Sequence, residues 1–295
     1  MARTSRTHYL RRTVAHRIEH RLRAPVRRFR NAGRTFRPIF ATGAAGGGTS
    51  VLAVTLAQGW DCAGLVYECD SQIGAGSFLH VPPIGTFAGI ADYMRGMAPR
   101  ADWDVARGRD ELQAMLRAYA TEAGDAVVAK GPDIHLVRVG FLHACFPDAL
   151  SVAVVRDPAA NIEGLRRKWP LFRSEPLDAC IAFYRDMHER YLDDSETFRE
   201  RALVVRYRDL VAQPQRTLAA VAARAGIAPT TRRLRVPDAP NVEGQGIRNV
   251  KDSRVEMVTD ADQRARERLA PGDARRIDAE LASLSARLEA VALPI

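Results

Sequence analysis

A glycine-rich turn between an apolar segment and a helical pattern constrains the fold of this chain more than any other feature. Residues 38–42 are mainly apolar, four glycines follow within residues 43–48, and residues 49–57 have the apolar spacing of a helix. Glycine allows successive backbone N–H groups to point into a turn, and a helix N-terminus adds partial positive charge. A strand, a turn and a helix in this order predict an anion-binding loop for phosphate or sulfate.

The loop differs from a Walker A motif at one decisive position. Gly43 and Gly48 have the required Gly-x4-Gly spacing, but Thr49 stands where that motif has lysine. A kinase or ATPase built on this loop would lack the cation that reaches the β- and γ-phosphates. A glycine-rich turn without any ligand is the structural alternative.

Five apolar segments alternate with helical patterns along the chain. The predicted strands are residues 38–42, 63–67, 126–129, 150–155 and 202–206. Such alternation predicts an α/β fold: a parallel sheet of about five strands with helices on both faces, a P-loop NTPase-like three-layer sandwich. We expect a loop-like segment over residues 71–104 and a last helix from Asp273 onward.

The basic charge of the chain is concentrated at its N-terminus. The whole chain carries a net charge of +9, residues 1–37 contain twelve arginines and one acid, Glu19, and the remainder is therefore nearly neutral. This predicts an Arg-rich extension, flexible or helical, over residues 1–36, and a folded domain over residues 37–295. The extension is interpreted as a solvated arm, an anchor to an anionic membrane surface or a nucleic-acid arm, and no specific nucleic acid is expected.

Composition sets limits on the other functional classes. No apolar run reaches the roughly 18 residues of a membrane span, and the four cysteines lack the spacing of a metal site or a disulfide framework. A cytoplasmic protein, membrane-peripheral if the extension binds lipid, without a metal ion is therefore expected. Only three of the 44 basic residues are lysines, Lys130, Lys168 and Lys251, so each is of interest.

Charged side chains follow several predicted strands. Glu68 and Asp70 follow the second strand, Lys130 follows the third, and Arg156 follows the fourth, just before Pro158 at the start of a helix. Ligand-binding groups of an open parallel sheet lie at the carboxyl ends of its strands. These positions predict a site for an anionic substrate, with Arg156 as a phosphate clamp.

Four short motifs occur in an order that resembles the sulfotransferase family. Phe146–Ala149 and Val155–Pro158 are similar to its F-P-D-A and V-R-D-P block, Tyr207–Leu210 before Pro214 to its Y-E-D-L segment, Gly48–Leu52 to its S-G-T-T-L-L loop, and Lys130–Pro132 to its K-T-P segment. Members of this family use 3′-phosphoadenosine 5′-phosphosulfate (PAPS) as sulfuryl donor. The resemblance extends from about Pro38 to the C-terminal helix.

The resemblance implies a role for each matching residue. The 5′-phosphosulfate would be held by the loop residues Gly46, Gly47, Gly48, Thr49 and Ser50. Arg156 would hold the 3′-phosphate and Tyr207 would lie at the adenine. Lys251, with Arg248, occupies the late loop from which the family brings further cations to the nucleotide.

Three positions depart from the family pattern. Gly46 stands where many members have arginine or lysine in the loop, and Lys130 is expected to replace that cation, since a missing donor typically costs 10²–10³ in rate. Gly164 stands where the family has a serine at the 3′-phosphate, and Asn161 is expected to substitute. Pro132 stands where one branch has its catalytic histidine.

Without that histidine, Glu68 is the expected base, because several branches of the family use a carboxylate just after the second strand. Asp70, His80 and His135 are the alternatives. The implied reaction is in-line transfer of a sulfuryl group from PAPS to a hydroxyl or amine of a carbohydrate, lipid or small metabolite. The segment 70–125 is expected to hold this small-molecule or glycan acceptor. A small-molecule kinase and a sulfotransferase-like binding protein without turnover are the alternatives.

Overall fold

A five-stranded parallel sheet forms the centre of the molecule. The structure is a computed structural model, and it describes residues 22–66, 86–95, 104–226, 247–248, 256–257 and 260–295. The strands are β1 (Arg37–Thr42), β2 (Cys62–Val66), β3 (Ala126–Lys130), β4 (Leu150–Val155) and β5 (Ala202–Arg206). Their order in the sheet is β2-β3-β1-β4-β5, and all four pairings are parallel. The predicted fold class is confirmed.

Helices connect the strands and surround the sheet. They are α1 (residues 22–30), α2 (Thr49–Gly59), α3 (Phe87–Arg95), α4 (Val105–Tyr119), α5 (Ile134–Val137), α6 (Val139–Cys145), α7 (Pro158–Lys168), α8 (Pro170–Arg173), α9 (Leu177–Ser195), α10 (Tyr207–Ala212), α11 (Pro214–Ala225), α12 (Ala261–Arg266), α13 (Pro271–Glu280) and α14 (Ala282–Val291). Two short strands, β6 (Ile247–Arg248) and β7 (Glu256–Met257), pair antiparallel.

The two faces of the sheet bury different helices. Successive side chains of a strand point to opposite faces. Ile39 and Ala41 therefore pack with α2 and α11 on one face, whereas Phe40 between them packs with α4 and α6 on the other. Val204 of β5 contributes to a further cluster with α9 and α14. These contacts produce three layers, as the alternating pattern predicts.

Two expectations about local structure are wrong. Helix α3 lies inside the segment 71–104 that was expected to be loop-like, because Phe87, Ala91 and Met94 have helical spacing and pack in the core, where the Phe87 ring lies 5.1 Å from that of Phe172. The last helix is two helices, since α13 ends at Glu280 and α14 begins at Ala282. By contrast, α11 ends at Gly226 with φ 63°, the left-handed C-cap that glycine favours.

The end of the predicted N-terminal extension packs on the folded domain. Helix α1 lies within it, and Asn31 and Phe36 are both 1% exposed. The Asn31 amide donates hydrogen bonds to the carbonyl oxygens of Arg117 and Ala120. The residues before β1 thus have fixed contacts, and the boundary at residue 36 remains a prediction.

Candidate active site

Four neighbouring strands bring the predicted site residues to one edge of the sheet. The glycine loop follows β1, Lys130 ends β3, Arg156 follows β4 and Tyr207 follows β5. All four lie at carboxyl ends, the edge where open parallel sheets bind ligands. The sequence-based placement of these residues is thus confirmed by the strand order, and their roles remain predictions.

The loop has the backbone conformation of an anion-binding turn. Gly43, Gly46 and Gly48 have φ angles of 148°, 81° and 104°, and the N–H of Gly47 donates to the carbonyl of Ala44 over 2.8 Å. Helix α2 begins directly after Gly48, and no side chain caps it there. The N-terminal N–H groups of a helix have no partner within that helix. Its positive end is thus available to an anion.

The neighbours of the loop explain its glycines. A Cβ on Gly48 would lie 2.7 Å from Cε2 of Tyr207, and one on Gly46 would lie 3.1 Å from Nδ2 of Asn161. Both residues also have positive φ, which L side chains rarely adopt. The absence of a loop cation at Gly46 therefore has a physical cause: this backbone disfavours any side chain there.

Asn161 supports the loop from helix α7. Its side chain is buried, and its Nδ2 donates a hydrogen bond of 2.7 Å to the carbonyl of Ala45. This hydrogen bond from the side-chain amide stabilises the loop backbone. The expected contact of Asn161 with a 3′-phosphate stays a prediction.

Asp133 is a second supporting residue, which sequence reasoning missed. Its Oδ1 accepts a hydrogen bond of 2.7 Å from the Ala45 N–H, and its own N–H donates to the carbonyl of Gly43 over 2.9 Å. Asp133 has φ 55°, the one positive value among the described non-glycine residues. A strained conformation of this kind persists where surrounding contacts enforce it, often at functional sites. The only signal in the sequence was its position after Lys130–Pro132.

Arg156 joins the loop to two other elements. Its Nη1 donates to the carbonyl of Gly46 over 2.7 Å, its Nε donates to Oδ1 of Asp262 over 2.5 Å, and its Cζ lies 4.7 Å from the ring centroid of Tyr207. The side chain is 11% exposed. Asp262 of α12 was not predicted, because no motif marks it. Burial raises the pKa of Asp262, against the opposing effect of Arg156.

A cavity of about 300 Å³ lies beside this guanidinium. Its lining includes Arg156, Asp157, Tyr184, Tyr207, Asp262 and Ser285. Burial raises the pKa of the Tyr207 phenol, which therefore remains neutral at physiological pH. The aromatic ring and the guanidinium of this cavity suit a polar aromatic ligand with negative charge, whereas its carboxylates oppose that charge.

Two lysines place further positive charge near the loop. Lys130 is 2% exposed and is paired in register with Ala41 of β1, two residues before the loop begins. Lys168 ends α7. Burial, followed by the positive charges of Arg167, Arg156 and Lys130, lowers the pKa of Lys168 to about 8, against a smaller opposing effect of Glu163.

The position of Lys168 on α7 directs it toward the loop. Asn161, Gly164 and Leu165 of the same helix all adjoin Gly46: a Cβ on Gly164 would lie 3.9 Å from the Gly46 carbonyl oxygen, and a Cβ on Gly46 would lie 3.5 Å from the Leu165 nitrogen. Lys168 follows on this face at the i+3, i+4 and i+7 spacings. Helical side chains also lean toward the helix N-terminus, in this case toward the loop. The rarity of lysine in this chain and the spacing of Lys168 from Asn161 and Gly164 were sequence signals that could have identified it as a site residue.

Several predicted residues have no described side-chain geometry. Glu68, the expected base, and Lys251 lie outside the described residues, as do Asp70 and His80. Arg248 lies in β6, opposite Glu256, and its side chain is not described. The role of each remains a prediction.

The histidine alternative is described and lies in the core. His135 is 3% exposed, with its ring 5.4 Å from that of Phe40. Burial first, and the positive charges of Arg138 and Lys130 second, lower its pKa to about 3. An imidazole of such low basicity is poorly suited to remove a proton, so a base role for His135 is disfavoured.

The chain was compared with protein-family models and with curated protein sequences. The sequence model of the Sulfotransferase family matches residues 38–231. A search of curated protein sequences found no significant match. Within the described part of the chain, no group of three or more His, Cys, Asp or Glu side chains could hold a metal ion.

Solved sulfotransferase structures resemble the chain at low sequence identity. That of STF9 from Mycobacterium avium is 14% identical, with a TM-score of 0.49, and the alignment covers 90% of this chain and 81% of that one. The sulfotransferase from Alicyclobacillus acidocaldarius is 20% identical, with a TM-score of 0.45 and coverages of 86% and 95%. Mouse sulfotransferase SULT7A1, complexed with PAP, is 12% identical, with a TM-score of 0.42 and coverages of 87% and 89%.

The family match covers the glycine loop, Lys130, Arg156, Lys168 and Tyr207, and thus most of the site described above. It extends over well more than half of the chain. This protein therefore belongs to the sulfotransferase family.

Proposed function

We propose that the protein transfers a sulfuryl group from PAPS to a hydroxyl or amine of a carbohydrate, lipid or small metabolite. The observation that carries this proposal is the convergence of the uncapped glycine loop, Arg156 and Tyr207 at one edge of the sheet. Together they supply what a nucleotide with two separated anionic groups requires. Family membership supports the sulfuryl chemistry.

The loop would bind the 5′-phosphosulfate. Backbone N–H groups from Gly46 to Ser50, except that of Gly47, which donates to the Ala44 carbonyl, and the hydroxyls of Thr49 and Ser50 would donate to its oxygens. Both hydroxyl-bearing residues are buried, at 5% and 4% exposure, directly at the start of α2. Preorganised donors in a water-excluded site stabilise negative charge more strongly than donors exposed to water.

Arg156 would bind the 3′-phosphate of the donor. Its guanidinium already contacts Asp262 and the Gly46 carbonyl, so a phosphate on Arg156 would compete with the Asp262 carboxylate. The adjacent Tyr207 ring would lie at the adenine, beside the 300 Å³ cavity. A 3′-phosphate contact distinguishes PAPS from ATP, which lacks that group.

Lys130 and Lys168 would supply the positive charge that the loop lacks. The backbone at Gly46 disfavours a cationic side chain, whereas both lysines come from elements that adjoin the loop. Their charges act on each other, since Lys130 contributes to the lowered pKa of Lys168. Negative charge develops on the oxygen that bridges phosphorus and sulfur as the S–O bond breaks. A nearby ammonium group would stabilise that charge.

The transfer itself needs a base and an acceptor in line. The acceptor oxygen or nitrogen bonds to sulfur, the bond from sulfur to the bridging oxygen breaks, and 3′-phosphoadenosine 5′-phosphate (PAP) leaves. We assign removal of the acceptor proton to Glu68. In sequence it follows β2, whose last residue, Val66, lies at the same edge of the sheet as the loop. The segment 70–125, which includes α3, would form the acceptor side of the site.

Ligand-dependent thermal stability followed by label transfer tests this function. PAP should raise the melting temperature of the full chain, whereas ATP with magnesium should not, and ³⁵S from labelled PAPS should appear in a component of a metabolite extract. Stabilisation by ATP alone would indicate a kinase and contradict the proposal. Stabilisation by PAP without transfer into any extract would indicate a binding protein without turnover.

A further inference from the structure

Helix α1 is attached to the folded domain through one side only. Beyond its end, Asn31 is buried and donates to the carbonyl oxygens of Arg117 and Ala120, at 3.0 and 3.1 Å. Arg34 adds hydrogen bonds of 2.8 and 2.6 Å to the carbonyl oxygens of Ala123 and Gly124. These contacts fix the orientation of the helix relative to the domain.

The opposite side of α1 exposes a continuous apolar stripe. Leu22, Val26 and Phe29 are 72%, 68% and 87% exposed, and their i, i+4, i+7 spacing places them on one face. Residues 24, 27 and 31, which lie on the other face, are the less exposed ones. Three of the five large apolar side chains that are exposed in the described part of the chain belong to this one helix. Exposing a cluster of large apolar side chains to water is unfavourable, which indicates that a binding partner covers them.

Arginines flank this stripe, and the sequence of the helix itself contains no acid. Arg23 and Arg28 are exposed on the same helix, and residues 20–60 contain no Asp or Glu. Arg30, although exposed, donates hydrogen bonds to the carbonyl oxygens of Ala120 and Thr121 of the folded domain. In the sequence upstream, apolar residues continue at the same four-residue spacing, at Ile18, Val14 and Leu10. Residues 1–37 together carry twelve arginines against Glu19.

An apolar stripe flanked by cations matches an anionic lipid surface in both of its properties. Headgroup phosphates attract arginine, and the interface below them accepts Leu, Val and Phe side chains. Nucleic acid would match the charge alone, because its backbone offers no apolar layer to three aliphatic and aromatic side chains on one helix face. None of the described helices is long and apolar enough to cross a bilayer.

We infer that α1 docks the protein on the surface of an anionic lipid bilayer, with Leu22, Val26 and Phe29 inserted at the interface and the flanking arginines on headgroup phosphates. This inference does not depend on the proposed function. The contacts of α1 lie just before β3 and β1, at the amino ends of the strands, whereas the glycine loop lies at the carboxyl ends. Docking through α1 therefore leaves the candidate active site turned away from the bilayer surface.

Vesicle co-sedimentation of the full chain tests the inference. Phosphatidylcholine vesicles with about 30% phosphatidylglycerol should bind the protein, and pure phosphatidylcholine vesicles should bind it at least about tenfold more weakly. Changing Leu22, Val26 and Phe29 together to serine should lower the partition coefficient about 100-fold without changing the melting temperature, because all three side chains are exposed. Trp169→Ser, on a residue that is 49% exposed elsewhere, is the matched control and should bind like the wild type.

Two further readouts separate lipid docking from other outcomes. In Phe29→Trp, tryptophan emission relative to wild type should shift to shorter wavelength on addition of anionic vesicles, as a ring that enters the interface does. An unshifted emission, or unchanged binding by the triple serine variant, would overturn the insertion. Equal binding to neutral and anionic vesicles would overturn the choice of an anionic surface. If the serine variant still bound vesicles but no longer bound DNA, nucleic acid rather than lipid would be the partner of the stripe.

Discussion

Two regions of the molecule concentrate positive charge, and they do so in opposite ways. At the candidate active site, Arg156 and Lys130 are 11% and 2% exposed; Arg156 contacts the glycine loop, and Lys130 ends the strand beside the one that leads into it. On α1, Arg23, Arg28 and Arg30 are exposed and spread around a helix. The first arrangement suits a small anion at one fixed position, whereas the second suits an extended anionic surface on which no single position matters.

The difference follows from the surroundings of the charges. Low dielectric and fixed hydrogen bonds strengthen each interaction at the buried site, and salt screens it little. Exposed arginines are strongly screened, so each contributes little alone and their effect depends on number. Substitutions at the buried site should therefore have large individual effects, and single substitutions on α1 should have small ones.

The largest expected effect contrasts two glycines. Gly48→Ala should lower the free energy of unfolding by about 2–4 kcal/mol, because φ is 104° and the new Cβ would overlap the Tyr207 ring. Gly33→Ala, next to α1, is the matched control, since an added Cβ there would meet nothing within 4 Å. Chemical denaturation of both variants checks this. Equal stability of the two would show that the loop geometry is not enforced by its neighbours.

Arg156→Ala should weaken PAP binding about 30-fold or more, since a charge-assisted hydrogen bond contributes about 2 kcal/mol or more at a buried site. Vesicle binding should be unchanged. Asp262→Asn should act in the opposite direction and tighten PAP binding, because it removes the carboxylate that contacts the same guanidinium. Calorimetric titration with PAP measures both variants, and a weaker affinity in Asp262→Asn would contradict the proposed competition.

PAP affinity should decrease as pH rises through about 8, because Lys168 then loses its proton. The effect of Lys168 on the free energy of unfolding has the opposite sign. Between pH 8 and the ordinary pKa of 10.5, the unfolded chain binds more protons at this lysine than the folded chain does. The contribution of Lys168 to the free energy of unfolding therefore rises with pH in this range. Lys168→Arg should bind PAP without this pH dependence, and Lys168→Met should bind about tenfold more weakly at pH 7. Arg167→Met, whose side chain is 52% exposed, is the control.

The smallest effect is expected at Gly164. A Cβ there would lie 4.0 Å from Nη1 of Arg156, at ordinary contact distance, so Gly164→Ser should fold normally. The hydroxyl would add one donor beside Arg156 and should tighten PAP binding about threefold, in line with a net contribution of about 0.5–1 kcal/mol. Adenosine 5′-phosphosulfate, which lacks the 3′-phosphate, should bind equally to both proteins. A gain for both nucleotides would place the 3′-phosphate elsewhere.

Local sequence signals were sufficient for the framework of the site. Gly43–Gly48 between a strand and a helix, Arg156 at the end of an apolar strand, and Gly226 after a helical pattern each act through backbone propensity and nearby residues. The structure has all three where they were expected. The break at Leu281 was missed, because apolar spacing continues across it and no proline or glycine marks the change.

The sequence by itself determined the order of the five strands, the glycine-rich turn between a strand and a helix, and the concentration of basic charge before residue 38, since each depends on residues close together in the chain. Only the tertiary structure decided that Asp133 contacts the loop, that Asp262 contacts Arg156, and that Lys168 lies on the helix that packs against Gly46. It also decided that the apolar stripe of α1 faces away from the domain. Contacts between residues 90 or more positions apart, such as Asn161 with Ala45 or Arg156 with Asp262, result from strand order and helix packing, which no local pattern encodes.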